Sequence, residues 1–196
     1  MAYLKASPAG RGRVRCGTGQ WAVLVILLGL SCAWSAEPGP VKEYQVKAVF
    51  LYNFAQFVQW PDGSFPENGS PLVVGILGND PFNAYLDEVV KGEKVSNHPI
   101  QVVRYERIEN VADCHVLFVS ASETRRLQPI LNSLKTRKIL TVGESDLFSR
   151  LGGMVSFVTT QGKIRLKINL DAVQAADLTV SSKLLRLAEI VSPGKG

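Results

Sequence analysis

The chain has 196 residues, 22 of them lysine or arginine against 17 acidic, with 46% hydrophobic residues and three cysteines. That length supports one domain with a full core and is too short for two comfortable ones. The formal charge of +5 is concentrated at the front: Lys5, Arg11, Arg13 and Arg15 come before the uncharged run WAVLVILLGLSCAW from Trp21 to Trp34, and every acidic residue lies beyond it.

A basic start, an apolar run and small residues at Ala33, Ser35 and Ala36 read as a secretory signal over residues 1–35, cleaved after Ser35. The run is shorter than the roughly twenty residues that span a bilayer, so no stable membrane insertion is expected after cleavage. The localisation that follows is the periplasm. Cys32 after Leu30-Ser31 raises lipid attachment as the alternative, although Gly29 stands where such signals usually carry leucine. Cleavage leaves 18 basic residues against 17 acidic, so the basic charge of the precursor gives no argument for nucleic acid. It also leaves Cys114 as the only cysteine, which excludes an internal disulfide. Residues 36–42 read as a short linker, 43–191 as the domain and 192–196 as a flexible tail.

The segment Tyr44–Trp60 reads as a helix with an unusually wide apolar face. At about 100° per residue, Gln45, Tyr52, Asn53, Gln56 and Gln59 share a narrow polar stripe. Only Lys47 interrupts the apolar remainder, and its stem is long enough to carry the charge outward. Such a helix is either buried on two sides or offers a surface to a partner. Pro61 predicts the stop at Trp60.

After a Gly- and Pro-rich linker, LVVGIL from Leu72 to Leu77 predicts a strand buried on both faces. Gly78-Asn79-Asp80-Pro81 opens a helix over Phe82–Val90. Strands follow at Ile100–Tyr105, His115–Val119 and Ile139–Val142. Ser120 and Glu123 have capping-box spacing for a helix to Leu134, and Gly143-Glu144-Ser145-Asp146 opens a short helix ended by Gly152-Gly153. Alternation of strand and helix predicts a single α/β domain, a mainly parallel twisted sheet with helices on both faces. A C-terminal antiparallel hairpin is expected from MVSFVT and KIRLKINL, joined through Thr160-Gln161-Gly162. In its second strand Lys163, Arg165, Lys167 and Asn169 alternate with Ile164, Leu166, Ile168 and Leu170, as in a half-exposed edge strand. Asp171 is read as capping a helical turn to Asp177, and Ser181 or Ser182 as opening a last helix to Ile190.

Catalytic chemistry finds little support. His98 and His115 lack a second ligand at metal spacing, and no cofactor loop or GxSxG elbow is present. Neither metal nor cofactor is expected. Cys114 beside His115 suggests a thiol and its base, but neighbours along a strand point to opposite faces. Three strand-to-helix turns could instead share one sheet edge, where open α/β sheets hold ligands. Asn79, Asp80, Ser120, Ser122 and Ser145 are the candidate ligand-binding residues, with simple capping as the plainer reading.

The blocks EYQVKAVFLYNFAQFVQWP, PLVVGILGNDPF, CHVLFVSASE, ILTVGESDLFSRLGGMVSFV, IRLKINLDAV and VSSKLLRLA occur in this order after the signal. Together they resemble the YfiR/HmsC-like family of periplasmic proteins. The resemblance implies a compact α/β domain that forms homodimers and is not an enzyme. It implies a partner too, the periplasmic sensing region of a membrane-bound diguanylate cyclase, which the regulator represses to lower cyclic di-GMP and biofilm formation. Some relatives use disulfides for redox control, a feature that Cys114 alone cannot supply. The surface expected to meet the partner combines Tyr52, Phe57 and Trp60 with Leu178, Lys183 and Leu184, aromatic and aliphatic anchors beside a charged rim. The rival reading is a periplasmic small-ligand-binding protein or minor hydrolase using the strand-end crevice.

Overall fold

The computed structural model describes residues 40–192, so the signal, the first residues of the linker and the last four of the tail lie outside the described residues. Helix α1 (Pro40–Phe57) leads into a two-residue strand β1 (Val58–Gln59). Then come β2 (Leu72–Leu77), α2 (Ala84–Val90), β3 (Lys94–Val95), β4 (His98–Tyr105), β5 (Val116–Val119), α3 (Leu127–Leu134), β6 (Leu140–Glu144) and α4 (Asp146–Arg150). The chain continues with β7 (Val155–Thr160), β8 (Lys163–Asn169), α5 (Leu170–Ala175), β9 (Thr179–Val180), α6 (Ser182–Leu185) and β10 (Ala188–Val191).

Among the described residues, eight strands form one sheet in the order β10-β8-β7-β6-β5-β2-β4-β3, while β1 and β9 pair separately. Strands β4, β2, β5, β6 and β7 are mutually parallel, and β7 and β8 form the antiparallel hairpin. The chain starts at β2, steps to β4 on one side and then to β5 on the other, which makes the β2–β5 boundary the topological switch point. The single α/β domain expected from the alternation is the observed one.

Period-two alternation divides the core. Leu72, Val74 and Ile76 of β2, Val116 and Phe118 of β5, and Leu140 and Val142 of β6 meet Leu51, Phe54 and Ala55 of α1 on one face. Leu77, Leu117 and Val119 meet Leu127, Ile130, Leu131 and Leu134 of α3 on the other. Phe148 of α4 completes that second face by lying on the backbone; a Cβ at Gly143 or Gly153 would stand 2.3 Å or 2.0 Å from its ring.

Several local expectations are corrected. Helix α1 ends at Phe57, three residues before Trp60, because the Phe57 carbonyl accepts the Ser181 N–H at 2.9 Å and Val58–Gln59 pair with Thr179–Val180. Strand β8 is no edge: β10 pairs parallel along its outer side, Ala188 to Leu166 through Val191 to Asn169. The final helix accordingly stops at Leu185, and the segment expected to continue it to Ile190 becomes the edge strand. Asn169 is buried rather than outward, and its Oδ1 accepts the Ala172 N–H at 3.1 Å, taking the capping role assigned to Asp171. The capping box at Ser120 does not close: Ser120 Oγ accepts from Ser122 N–H, while the buried Glu123 carboxylate pairs with Arg126 at 2.7 Å, and a 3-10 turn precedes α3. Lys47 does not reach solvent; it is 3% exposed.

Candidate functional site

The burial of Lys47 defines the site. On α1, Glu43, Tyr44 and Lys47 fall within one turn, above the ends of the parallel strands. From below, Glu144 continues the inward series Leu140 and Val142 of β6, so the alternation that builds the core delivers a carboxylate beneath the helix. Lys47 Nζ donates to Glu144 Oε1 and lies 2.7 Å from Glu43 Oε1. The Tyr44 hydroxyl donates to Glu144 Oε2 at 3.2 Å, and Thr159 Oγ1 donates to Glu43 Oε1 at 2.8 Å. The ammonium also sits 4.6 Å from the centre of the Tyr44 ring. Burial, reinforced by the Glu144 charge, pushes the Tyr44 hydroxyl up to about 12, and the Lys47 hydrogen bond holds Glu43 below the ordinary carboxylate range.

Sequence reasoning missed this cluster although two signals existed: a lone cation on an apolar helix face, and a glutamate in phase with buried strand residues. Its chemistry is structural. Lys47 is engaged by two carboxylates and covered by ring and helix, so the amine cannot approach a substrate.

The predicted ligand-binding residues stand at the same sheet edge, where Asn79, Ser120 and Ser122 bond to one another and Asp80 and Ser145 act as caps. Gly78 adopts φ +87°, and a Cβ there would lie 2.4 Å from Ser122 Oγ. Ser122 Oγ accepts the Asn79 N–H at 3.0 Å, and Ser120 Oγ accepts the Ser122 N–H at 3.4 Å. Asp80 caps Phe82 N–H at 2.7 Å and binds Arg104 Nε at 2.8 Å, while Ser145 caps Phe148 N–H at 3.3 Å beyond β5.

The predicted partner surface is only partly a surface. Leu178 and Leu184 are 3% and 1% exposed and serve the core beneath α1. Phe57 and Trp60 are half-buried beside them, Lys183 is exposed, and the Tyr52 hydroxyl donates to Glu93 at 2.7 Å.

At the opposite end of the sheet Phe65 is held between two histidines, 3.8 Å from the His98 ring centre and 4.4 Å from that of His115. His115 Nδ1 accepts the Val73 N–H at 3.1 Å and its Nε2–H donates to the Ser64 carbonyl at 3.2 Å. Burial lowers its pKa. Cys114 points to the other face, as expected, with its thiol 3.2 Å from the Val116 carbonyl and pushed by burial up to about 12. Such a thiol is neither exposed nor ionised, and His115 cannot serve as its base. No group of three or more potential metal ligands occurs among the described residues.

The profile of the YfiR/HmsC-like family matches residues 44–189, from the tyrosine of the buried cluster to the edge strand. The chain belongs to this family. No curated protein matches it. Among solved structures, the ABC domain in complex with L-Trp from Streptococcus pneumonia is 12% identical with a TM-score of 0.45, and the match covers 61% of this chain. This chain spans 55% of that chain's length, a likeness too distant to bear on function. No described helix is long and apolar enough to cross a membrane.

Proposed function

We propose that this YfiR/HmsC-like protein is a periplasmic, non-catalytic regulator that binds the periplasmic sensing region of an inner-membrane diguanylate cyclase and represses it, lowering cyclic di-GMP. One observation carries the non-catalytic part: at the sheet edge where open α/β proteins bind and transform ligands, the chain has packed Ser122 against Gly78 and placed Tyr44 and Lys47 on Glu144. Surface binding is the activity that remains. Family membership supports a signalling protein as the partner.

Repression then works by population shift. A regulator that moves its partner from mostly active to mostly silent needs a differential affinity of up to about 5.5 kcal/mol between the two states. The contact surface uses Tyr52, Phe57, Trp60 and Lys183, with Leu178 and Leu184 supporting it from the core. The regulator acts as a homodimer, and the β10 edge, with Leu187 67% and Ile190 46% exposed, offers the second copy an apolar margin.

Deleting the gene should raise cyclic di-GMP in the host. Restoration should need the secretory signal and fail with Tyr52→Glu or Lys183→Glu, provided each variant keeps the parent melting temperature. Unchanged cyclic di-GMP on deletion would sink the cyclase assignment. A metabolite co-purifying at the strand ends would favour the ligand-binding rival. Light scattering should give twice the mature mass at micromolar concentration, and a strict monomer would remove the dimer.

A further inference from the structure

We propose that the groove between α1 and the β7–β8 hairpin binds a free long-chain carboxylate, a fatty acid. The groove has a volume of about 610 Å³ and is lined by Val46, Phe50 and Ile164 with Lys42 and Lys163. This lies within the range of roughly 300–1,000 Å³ that small-ligand sites occupy, and suits one acyl chain better than a two-chain lipid.

Two features select the occupant. The first is apolar exposure that the fold does not use: Val46 in the groove is 46% exposed, although Leu51 and Phe54 on the same helix are fully buried. The second is charge. Lys42 and Lys163 are exposed and make no ion pair among the described residues. Glu43, the carboxylate in the lining, is already taken by Lys47 at 2.7 Å and Thr159 at 2.8 Å. An apolar floor with two uncommitted ammonium groups on its walls matches a molecule with an apolar tail and one anionic head. Each lysine is a compact point charge on a flexible stem, so the pair can meet one anionic head without fixing its orientation.

The test uses the mature protein and a fluorescent polyene fatty acid below its micelle concentration, displaced by palmitate. Saturable binding of one molecule per chain is expected. Affinity should rise about fourfold per added methylene until the groove is full. The double variant Lys42→Glu/Lys163→Glu should weaken palmitate about tenfold, and hexadecanol should bind about tenfold more weakly than palmitate. Val46→Asp, at an exposed position, should abolish binding while the melting temperature is kept. Absence of saturable binding, indifference to both variants, or equal affinity for hexadecanol would each overturn the proposal. So would binding only to anionic vesicles or only to an acidic amphipathic peptide. The measurement involves no cyclase, so its failure would leave the regulatory reading untouched.

Discussion

The two ends of α1 are fastened by opposite chemistry. Its first turns are tied to the strand ends by charge, through Lys47, Glu144, Glu43 and Tyr44. Its exit is tied down by rings and backbone: Trp60 edge-on to His115, Phe65 between His98 and His115, and Phe57 bonded to Ser181. A buried charge cluster is costly to break and gives little net stability over an apolar substitute, whereas stacked rings contribute mainly through buried area. The comparison teaches that the wide apolar face needed no two-sided burial. Helix α1 lies on one sheet face with α2 and α6 packed beside it and leaves Val46 and Val49 to solvent.

The largest effect should come from the charged end. Lys47→Ala strands Glu144 beneath the helix and should cost about 3 kcal/mol, lowering Tm by about 10 °C. Replacing Lys47 by Met and Glu144 by Leu together should recover most of that loss. If the single and double variants melt alike, the cluster is not a coupled unit.

Next, His115→Leu should cost about 2 kcal/mol, since the Val73 N–H and Ser64 carbonyl lose their partner while the ring packing is largely kept. Urea unfolding measures it. A loss below a few tenths would mean that the rings alone secure that end.

The two ends should also separate along the pH axis. His115 has a lowered folded pKa, so its contribution is complete above its ordinary value near 6.5 and is lost as pH falls below it. Glu43 is lowered too, so the charged end weakens on the acid side only below about 4.5. Tyr44 is raised, so its contribution is complete below pH 10 and is lost as pH climbs toward about 12. Thermal melts should thus show a mild loss beginning below pH 6.5 that His115→Leu abolishes, and an alkaline loss that Tyr44→Phe abolishes. Persistence of the mild acid loss in His115→Leu would assign it elsewhere.

The smallest effect belongs to neither end. Cys114→Ser should cost about 1 kcal/mol by burying a hydroxyl, and reductant should change neither stability nor regulation. Loss of partner control on reduction would instead point to a disulfide between chains.

The sheet was legible because each central strand is short, apolar and bounded by turn residues; Leu72–Leu77 was read without error in type or bounds. The C-terminal segment was not. Lysines alternating along β8 look the same beside solvent and beside a short partner strand, and Ala188–Val191 holds only four residues, too few for a period. The buried cluster escaped because its members lie 97 and 100 residues apart, and no local pattern pairs Lys47 or Tyr44 with Glu144. The turn residues Asn79, Ser120 and Ser122 stand at one edge, but sequence spacing could not reveal that they close on one another.

The position of α1 at the front of the domain sets a schedule for folding. A chain made from its N-terminus produces this helix first, yet Glu144, Thr159 and the Thr179–Val180 strand that fasten it appear last. Until then Leu51 and Phe54 can rest on β2, β5 and β6, but the charged and backbone ties that hold the helix there are missing. Closure over such long loops is slow. The nascent domain therefore waits with its stickiest helix unfastened, and the aggregation risk falls only when the last quarter or so of the chain arrives.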